Sequence, residues 1–356
     1  MAVFACAGCG AVLTAPVSRV ALPGHARQSY GHVLLPALLE SGTYAVDPAP
    51  SGPPWRPWAE VEADEAAAQG VFAPVFAVSF GAPGAIAIAP GDTRGTALIP
   101  ERCDGYCMGL DGRAGPNLAC LRCGRPVATR IDDCTYWQAV WLDRDAVRRL
   151  PVDGPADRPI DWATLAAERA GTPPVDPRGW WSPQWEAAVA VALAHLSVAS
   201  AGRPVEFPDG LVADTFARAW DMLLPPGPPG LAARKVALAG PRLPDPGPAA
   251  DIVLVPIHPQ TGQAWQQPSG TAAVVPLSAE VWLHLAFPRD RLLVPATGGL
   301  PIGVLRDDLL PPHPPTPFGP DADIFLATLA RLPAVREPWL RALYDRGRHR
   351  VPRLFR

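Results

Sequence analysis

Seven cysteines are the residues of this chain best suited to chemistry, and they are not evenly spread. Cys6 and Cys9 are separated by two residues and followed by Gly10, and Cys120 and Cys123 repeat the arrangement with Gly124. Two thiols at that spacing can both address one ion from a tight turn, and the trailing glycine lets the backbone close the turn. Each pair then runs into alternating, strand-like sequence, VLTAPV after the first and PVATRI after the second. We therefore expect Cys6, Cys9, Cys120 and Cys123 to be metal ligands, with zinc as the cofactor.

Residues 11–119 separate the two pairs. Loop-closure entropy grows only with the logarithm of length, so a folded insertion is tolerable. A local set competes, in which Cys103 and Cys107 join Cys120 and Cys123 at another four-thiolate spacing. Under the first assignment Cys103, Cys107 and Cys134 are left over. One reading makes them a second site, completed by Asp133, His25 or His32, whose open position would suit metal-assisted hydrolysis. The other makes them small buried hydrophobes. The sequence leaves both open.

The paired CAGCG and CLRCG segments resemble the two knuckles of a zinc ribbon, in which two hairpins clamp one tetrahedral zinc. The resemblance is confined to the residues around the pairs. It implies a folding clamp or binding platform with no activity of its own. The long gap between the pairs departs from that family.

Other candidates are weaker. GxxxxGK[ST], a GxGxxG that opens a helix, GxSxG and HExxH are all missing from the sequence. His195 falls on an apolar helix and His284 in an expected strand, where a hydrogen-bonded core role fits better than a catalytic base. His258 ends a strand before Pro259, and His313 lies in the extended segment PPHPP. Trp180, Trp181 and Trp185 form the one tryptophan cluster with the makings of an exposed patch.

Composition narrows the classes further. The formal net charge of −3 argues against a protein that coats nucleic acid or an anionic membrane. The 47 prolines predict short elements joined by stiff connections. Lys235 is the only lysine and Asn117 the only asparagine, a bias expected of a GC-rich genome such as an actinobacterial one. With no uninterrupted apolar stretch of spanning length and no secretory signal pattern, we expect a cytoplasmic chain, where closely spaced thiols favour metal over disulfides.

These sites need elements to hold them. A short helix bent at Pro36 is expected within 25–40 and an exposed helical stretch over 61–68. Strands are expected in VFAPVFAVSF, GAIAIAP, 95–99 and TYWQAVWL. The Pro/Gly-rich span 151–182 reads as a linker between a β-rich zinc-binding domain at 1–150 and a mixed α/β domain at 183–356. In the second domain Ser182 and Pro183 launch a buried helix to about residue 200, and a second helix spans 211–224. Strands follow in KVALA, DIVLVPIH, TAAVVPL, EVWLHLAF and RLLVPA, then helices over 321–332 and 338–345. The expected fold class is α+β, ending in a basic tail.

The function read from this is a non-catalytic binding or assembly role with structural zinc, and another protein as partner. The alternatives are a metal-dependent hydrolase built on a second Cys-rich site, a nucleic-acid-binding zinc-ribbon protein with Arg122, Arg125 and Arg130 around the second pair, and a thiol oxidoreductase.

Overall fold

The computed structural model describes residues 1–26, 34–105, 107, 109–152, 159–168, 171–176, 178–223, 231–266, 270–288 and 314–349. It is a mixed α+β structure with a strand-rich N-terminal half. The chain forms two compact units. The first holds Met1–Pro159, Pro259–Gly262 and Ala330–Arg336, and the second holds the remainder.

The first unit contains, in chain order, β1 (Ala2–Cys6), β2 (Ser18–Arg19), β3 (Thr43–Val46), β4 (Trp55–Pro57), α1 (Ala63–Ala68), β5 (Ala77–Ser79), β6 (Ile86–Ile88), β7 (Thr96–Leu98), β8 (Leu118–Cys120), β9 (Pro126–Ile131), β10 (Ala139–Leu142) and β11 (Val147–Pro151). The strands are short, as frequent prolines dictate. Seven of them form one sheet in the order β2-β3-β6-β10-β9-β8-β7, while β1 pairs with β11 and β4 with β5. β1 and β11 are antiparallel, with Ala2 opposite Pro151 and Cys6 opposite Val147.

The core of this unit gathers Phe4, Leu13, Val17, Tyr44, Ile88, Leu118, Val127, Val140 and Leu142 together with Cys6 and Cys120. Phe4, Leu13, Ile88 and Leu142 are almost wholly buried, each contributing about 1.5–3 kcal/mol. Phe4 packs edge-on against Tyr44 at 5.1 Å. The Tyr44 hydroxyl in turn accepts from Arg149 Nε of β11 at 3.0 Å. The core is thus continuous with the two strand ends that carry cysteines.

The second unit contains α2 (Trp162–Glu168), α3 (Pro183–Ser200), β12 (Val205–Glu206), α4 (Leu211–Leu223), β13 (Arg234–Leu238), β14 (Ile252–Ile257), β15 (Ala273–Ser278), α5 (Ala279–Ala286), α6 (Ala322–Ala330, its last residue belonging to the first unit) and α7 (Pro338–Arg348). Its four strands among the described residues are parallel and run in sequence order. The central β14 is buried along nearly its whole length, which explains its unbroken apolar sequence. α3 begins at Pro183 with Ser182 in the N-cap position. Its alanine- and valine-rich surface is buried on several faces, as expected of a helix that is apolar all round.

Several expectations fail for physical reasons. Residues 34–40 are not helical. Ala37 instead pairs with Gln138, whose N–H donates to the Pro36 carbonyl at 3.1 Å. Pro36 lacks the donor a helix would need, and a neighbouring backbone supplies better partners. EVWLHLAF is the helix α5, so His284 is helical and not in a strand. Within VFAPVFAVSF only Ala77–Ser79 pairs, after Pro74 interrupts the run. RLLVPA, His32, His313 and the tail from residue 350 lie outside the described residues.

Candidate metal centre

β1 ends at Cys6, and the chain turns at once. The Cys6 N–H donates to the Ala11 carbonyl at 2.8 Å, and the Gly10 N–H returns to the Cys6 carbonyl at 2.9 Å. The second pair repeats this. Cys120, last residue of β8, donates to the Arg125 carbonyl at 2.8 Å, and Gly124 donates to Cys120 at 2.8 Å. Gly10 and Gly124 sit at φ +74° and +72°, a left-handed conformation that glycine adopts without the usual Cβ penalty. Two distant segments therefore build the same turn, each turning its cysteines toward the other.

The four sulfurs meet. All lie within 4.8 Å of one another, and they contact crosswise, Cys6 Sγ to Cys123 Sγ at 3.6 Å and Cys9 Sγ to Cys120 Sγ at 3.6 Å. A disulfide would need about 2.0 Å. Four sulfurs around a tetrahedral zinc, each about 2.3 Å from the ion, are roughly 3.8 Å apart. The donor set fits such an ion in both chemistry and spacing.

The centre has a dry side and a wet side. Cys6 and Cys120 are buried in the core, Cys9 is half-buried and Cys123 is exposed. Burial opposes ionisation of Cys6, yet the N–H groups of Cys9 and Gly8 and the thiols of Cys123 and Cys9 outweigh it and bring Cys6 to about 7. For Cys123 the Arg125 N–H favours the thiolate, but desolvation and the thiols of Cys6, Cys9 and Cys120 push the group up to about 11. One side of the crosswise pair thus holds charge readily while the other keeps its proton, until an ion displaces it.

Three arginines brace the turns through backbone carbonyls. Arg122 reaches the Cys9 carbonyl at 3.4 Å, Arg125 the Asp145 carbonyl at 3.1 Å, and Arg148 donates to Ala7. Four thiolates around one divalent ion carry a net charge of about −2, which nearby guanidinium groups offset. Arg148 was not legible as part of the centre, because only the pairing of β1 with β11 brings it there.

The local alternative is overturned. Cys120 and Cys123 lie with Cys6 and Cys9, while the Cys103 thiol donates to the Ile99 carbonyl at 3.2 Å and joins no cluster among the described residues. Cys107, Asp133 and Cys134 form a separate group within 4.8 Å. His25 is not among them; its ring packs 4.6 Å from that of Trp137, and burial lowers it to about 4. His195 on α3 is likewise lowered by burial. His284 meets Trp185 edge-on at 5.3 Å. The buried His258 places Nε2 2.8 Å from the Ile160 carbonyl. Of the tryptophan cluster only Trp180 is exposed, for Trp181 donates to the Thr316 carbonyl at 2.8 Å and Trp185 is fully buried. No helix among the described residues is long and apolar enough to cross a membrane. The chain matches no protein-family model, no curated protein and no solved structure.

Proposed function

We propose that Cys6, Cys9, Cys120 and Cys123 bind one zinc ion as thiolates, and that this ion is structural in a non-catalytic binding or assembly protein. The observation that carries the reading is the repeated turn, which aims four sulfurs from opposite ends of the strand-rich half at one point. Four protein thiolates leave no open coordination position, so the ion contributes folding free energy and no chemistry. Support for a protein partner comes from the wet side. Val12 and Leu121 are exposed, both beside Gly95, and Arg122 and Arg125 of the same turn as Leu121 are exposed too. An apolar pair rimmed by arginine suits a protein surface.

Metal content of the purified chain tests the zinc reading. One equivalent of zinc should be lost in Cys6→Ser and none in Cys103→Ser, and cadmium should restore the folded state of stripped protein as well as zinc does. A Cys103→Ser chain that loses an equivalent, or a Cys6→Ser chain that binds as much zinc as wild type, would sink the assignment. A nucleic-acid role is the second reading, favoured by exposed Arg122, Arg125 and Arg148 around the turns. It requires binding that weakens steeply with salt.

A further inference from the structure

Outside the four-thiol centre, Cys107, Asp133 and Cys134 each bring one ligand atom within 4.8 Å of the other two. Backbone hydrogen bonds tie the described residues around them. The Gly105 N–H donates to the Gly109 carbonyl at 3.2 Å on either side of Cys107. A Cβ at Gly109 would stand 2.6 Å from the Cys103 carbonyl oxygen, so that position has room only for glycine. The Asp132 N–H donates to the Leu110 carbonyl at 2.9 Å, fastening this loop to the segment after β9 that carries Asp133 and Cys134.

Two further observations set the cluster apart from chance proximity. Thr135, directly after Cys134, is held at φ +79°, a conformation that a β-branched residue rarely adopts and that concentrates at functional sites. Asp133 is buried, and one of its carboxylate oxygens accepts the Cys134 N–H at 2.6 Å. Such a bond orients a metal-ligating carboxylate. Cys107 is exposed and Cys134 half-buried, so the cluster faces solvent on its thiol side.

We propose that Cys107, Cys134 and one carboxylate oxygen of Asp133 form a second metal site, for a zinc-class divalent cation with one coordination position open to water. Bonds of about 2.3 Å to sulfur and 2.0–2.2 Å to oxygen put the three ligand atoms roughly 3.5–3.8 Å apart, a side-chain adjustment from the observed spacing. Two thiolates select such an ion over magnesium or calcium, which prefer all-oxygen shells. Three protein ligands and an open position distinguish this site from the closed four-thiol centre. It stands on residues the first proposal does not use.

The test is metal titration of the reduced, full-length chain after stripping by a chelator. Wild type should take up two equivalents of Zn²⁺. Cys107→Ser and Asp133→Asn should each take up one, with unchanged far-ultraviolet circular dichroism. With Co²⁺, the second equivalent should add about half the sulfur-to-metal charge-transfer intensity of the first, because two thiolates replace four. A single equivalent in wild type that Cys107→Ser removes would sustain this site and refute the four-thiol reading. The proposal is overturned if wild type and both variants bind the same number of equivalents. It is also overturned if protein isolated without added oxidant carries a Cys107–Cys134 disulfide.

Discussion

Asn117 hydrogen-bonds through both ends of its amide to a single residue, Arg130. Its Nδ2 donates to the Arg130 carbonyl at 2.9 Å, and its Oδ1 accepts the Arg130 N–H at 2.6 Å. The side chain is fully buried and stands just before β8, where the pairing with β9 shifts register between Leu118 and Ala119. It supplies Arg130 with the donor and acceptor that a neighbouring strand would have provided. The chain's only asparagine thereby bonds to Arg130 of β9 just before the start of β8, the strand that Cys120 ends.

Asn117→Leu should leave two buried backbone groups of Arg130 without partners and cost about 2–5 kcal/mol. Asn117→Asp should be no better, since it opposes a carboxylate oxygen to the Arg130 carbonyl. Urea denaturation measures both. A change within experimental scatter for Asn117→Leu would show that the bridge contributes nothing.

Gly10→Ala and Gly124→Ala meet no atom within 4 Å of the added Cβ, so any effect is conformational. Each should destabilise its turn by about 1–2 kcal/mol, weakening the proposed zinc binding roughly 5- to 30-fold. Asparagine at either position should recover part of the loss, because it tolerates the left-handed region better than alanine. Competition with a chromophoric chelator reads the affinity directly. Equal affinities for the glycine and alanine chains would contradict the role given to these turns.

His25 makes stability of the first unit depend on pH. Its imidazole titrates near 6.5 in an unfolded chain and near 4 in the fold, so the unfolded state binds more protons between those values. The stability it contributes is complete above pH 6.5 and is lost as pH falls toward 4, with a slope of at most about 1.4 kcal/mol per pH unit. On metal-stripped protein, which removes competing proton uptake by ligand thiolates, His25→Gln should flatten this dependence. Parallel curves for both chains would mean that His25 stays accessible to protons.

The sequence shows the two cysteine pairs plainly, because turn geometry and thiol spacing are local properties carried by Cys6–Gly10 and Cys120–Gly124. It also shows α3 and the three longer described parallel strands, and the unbroken apolar run of β14 follows from its burial. The convergence of the cysteine pairs is a product of sheet order, to which neither pair alone points. α5 was hidden because Val281 and Trp282 favour strands, although Ser278 and Glu280 at its start carry a helix-opening signal. The segment at 34–40 misled in the other direction, since leucines suit a helix and the edge pairing that won depends on the distant Gln138. The near-absence of asparagine made Asn117 conspicuous, but only the structure gives it a partner.

The pairing of β1 with β11 bears on how the chain is made. Ala2 is synthesised 149 residues before its partner Pro151, so β1 lacks its β11 neighbour for about 7–30 s at ordinary rates of synthesis. Throughout that interval an apolar strand and the thiols of Cys6 and Cys9 are open to oxidation, stray metals and other chains. Cys120 and Cys123 arrive before the closing strand. If the four thiols hold the proposed zinc, its capture can precede the final pairing and hold β1 in register, and zinc supply during translation should then affect yield.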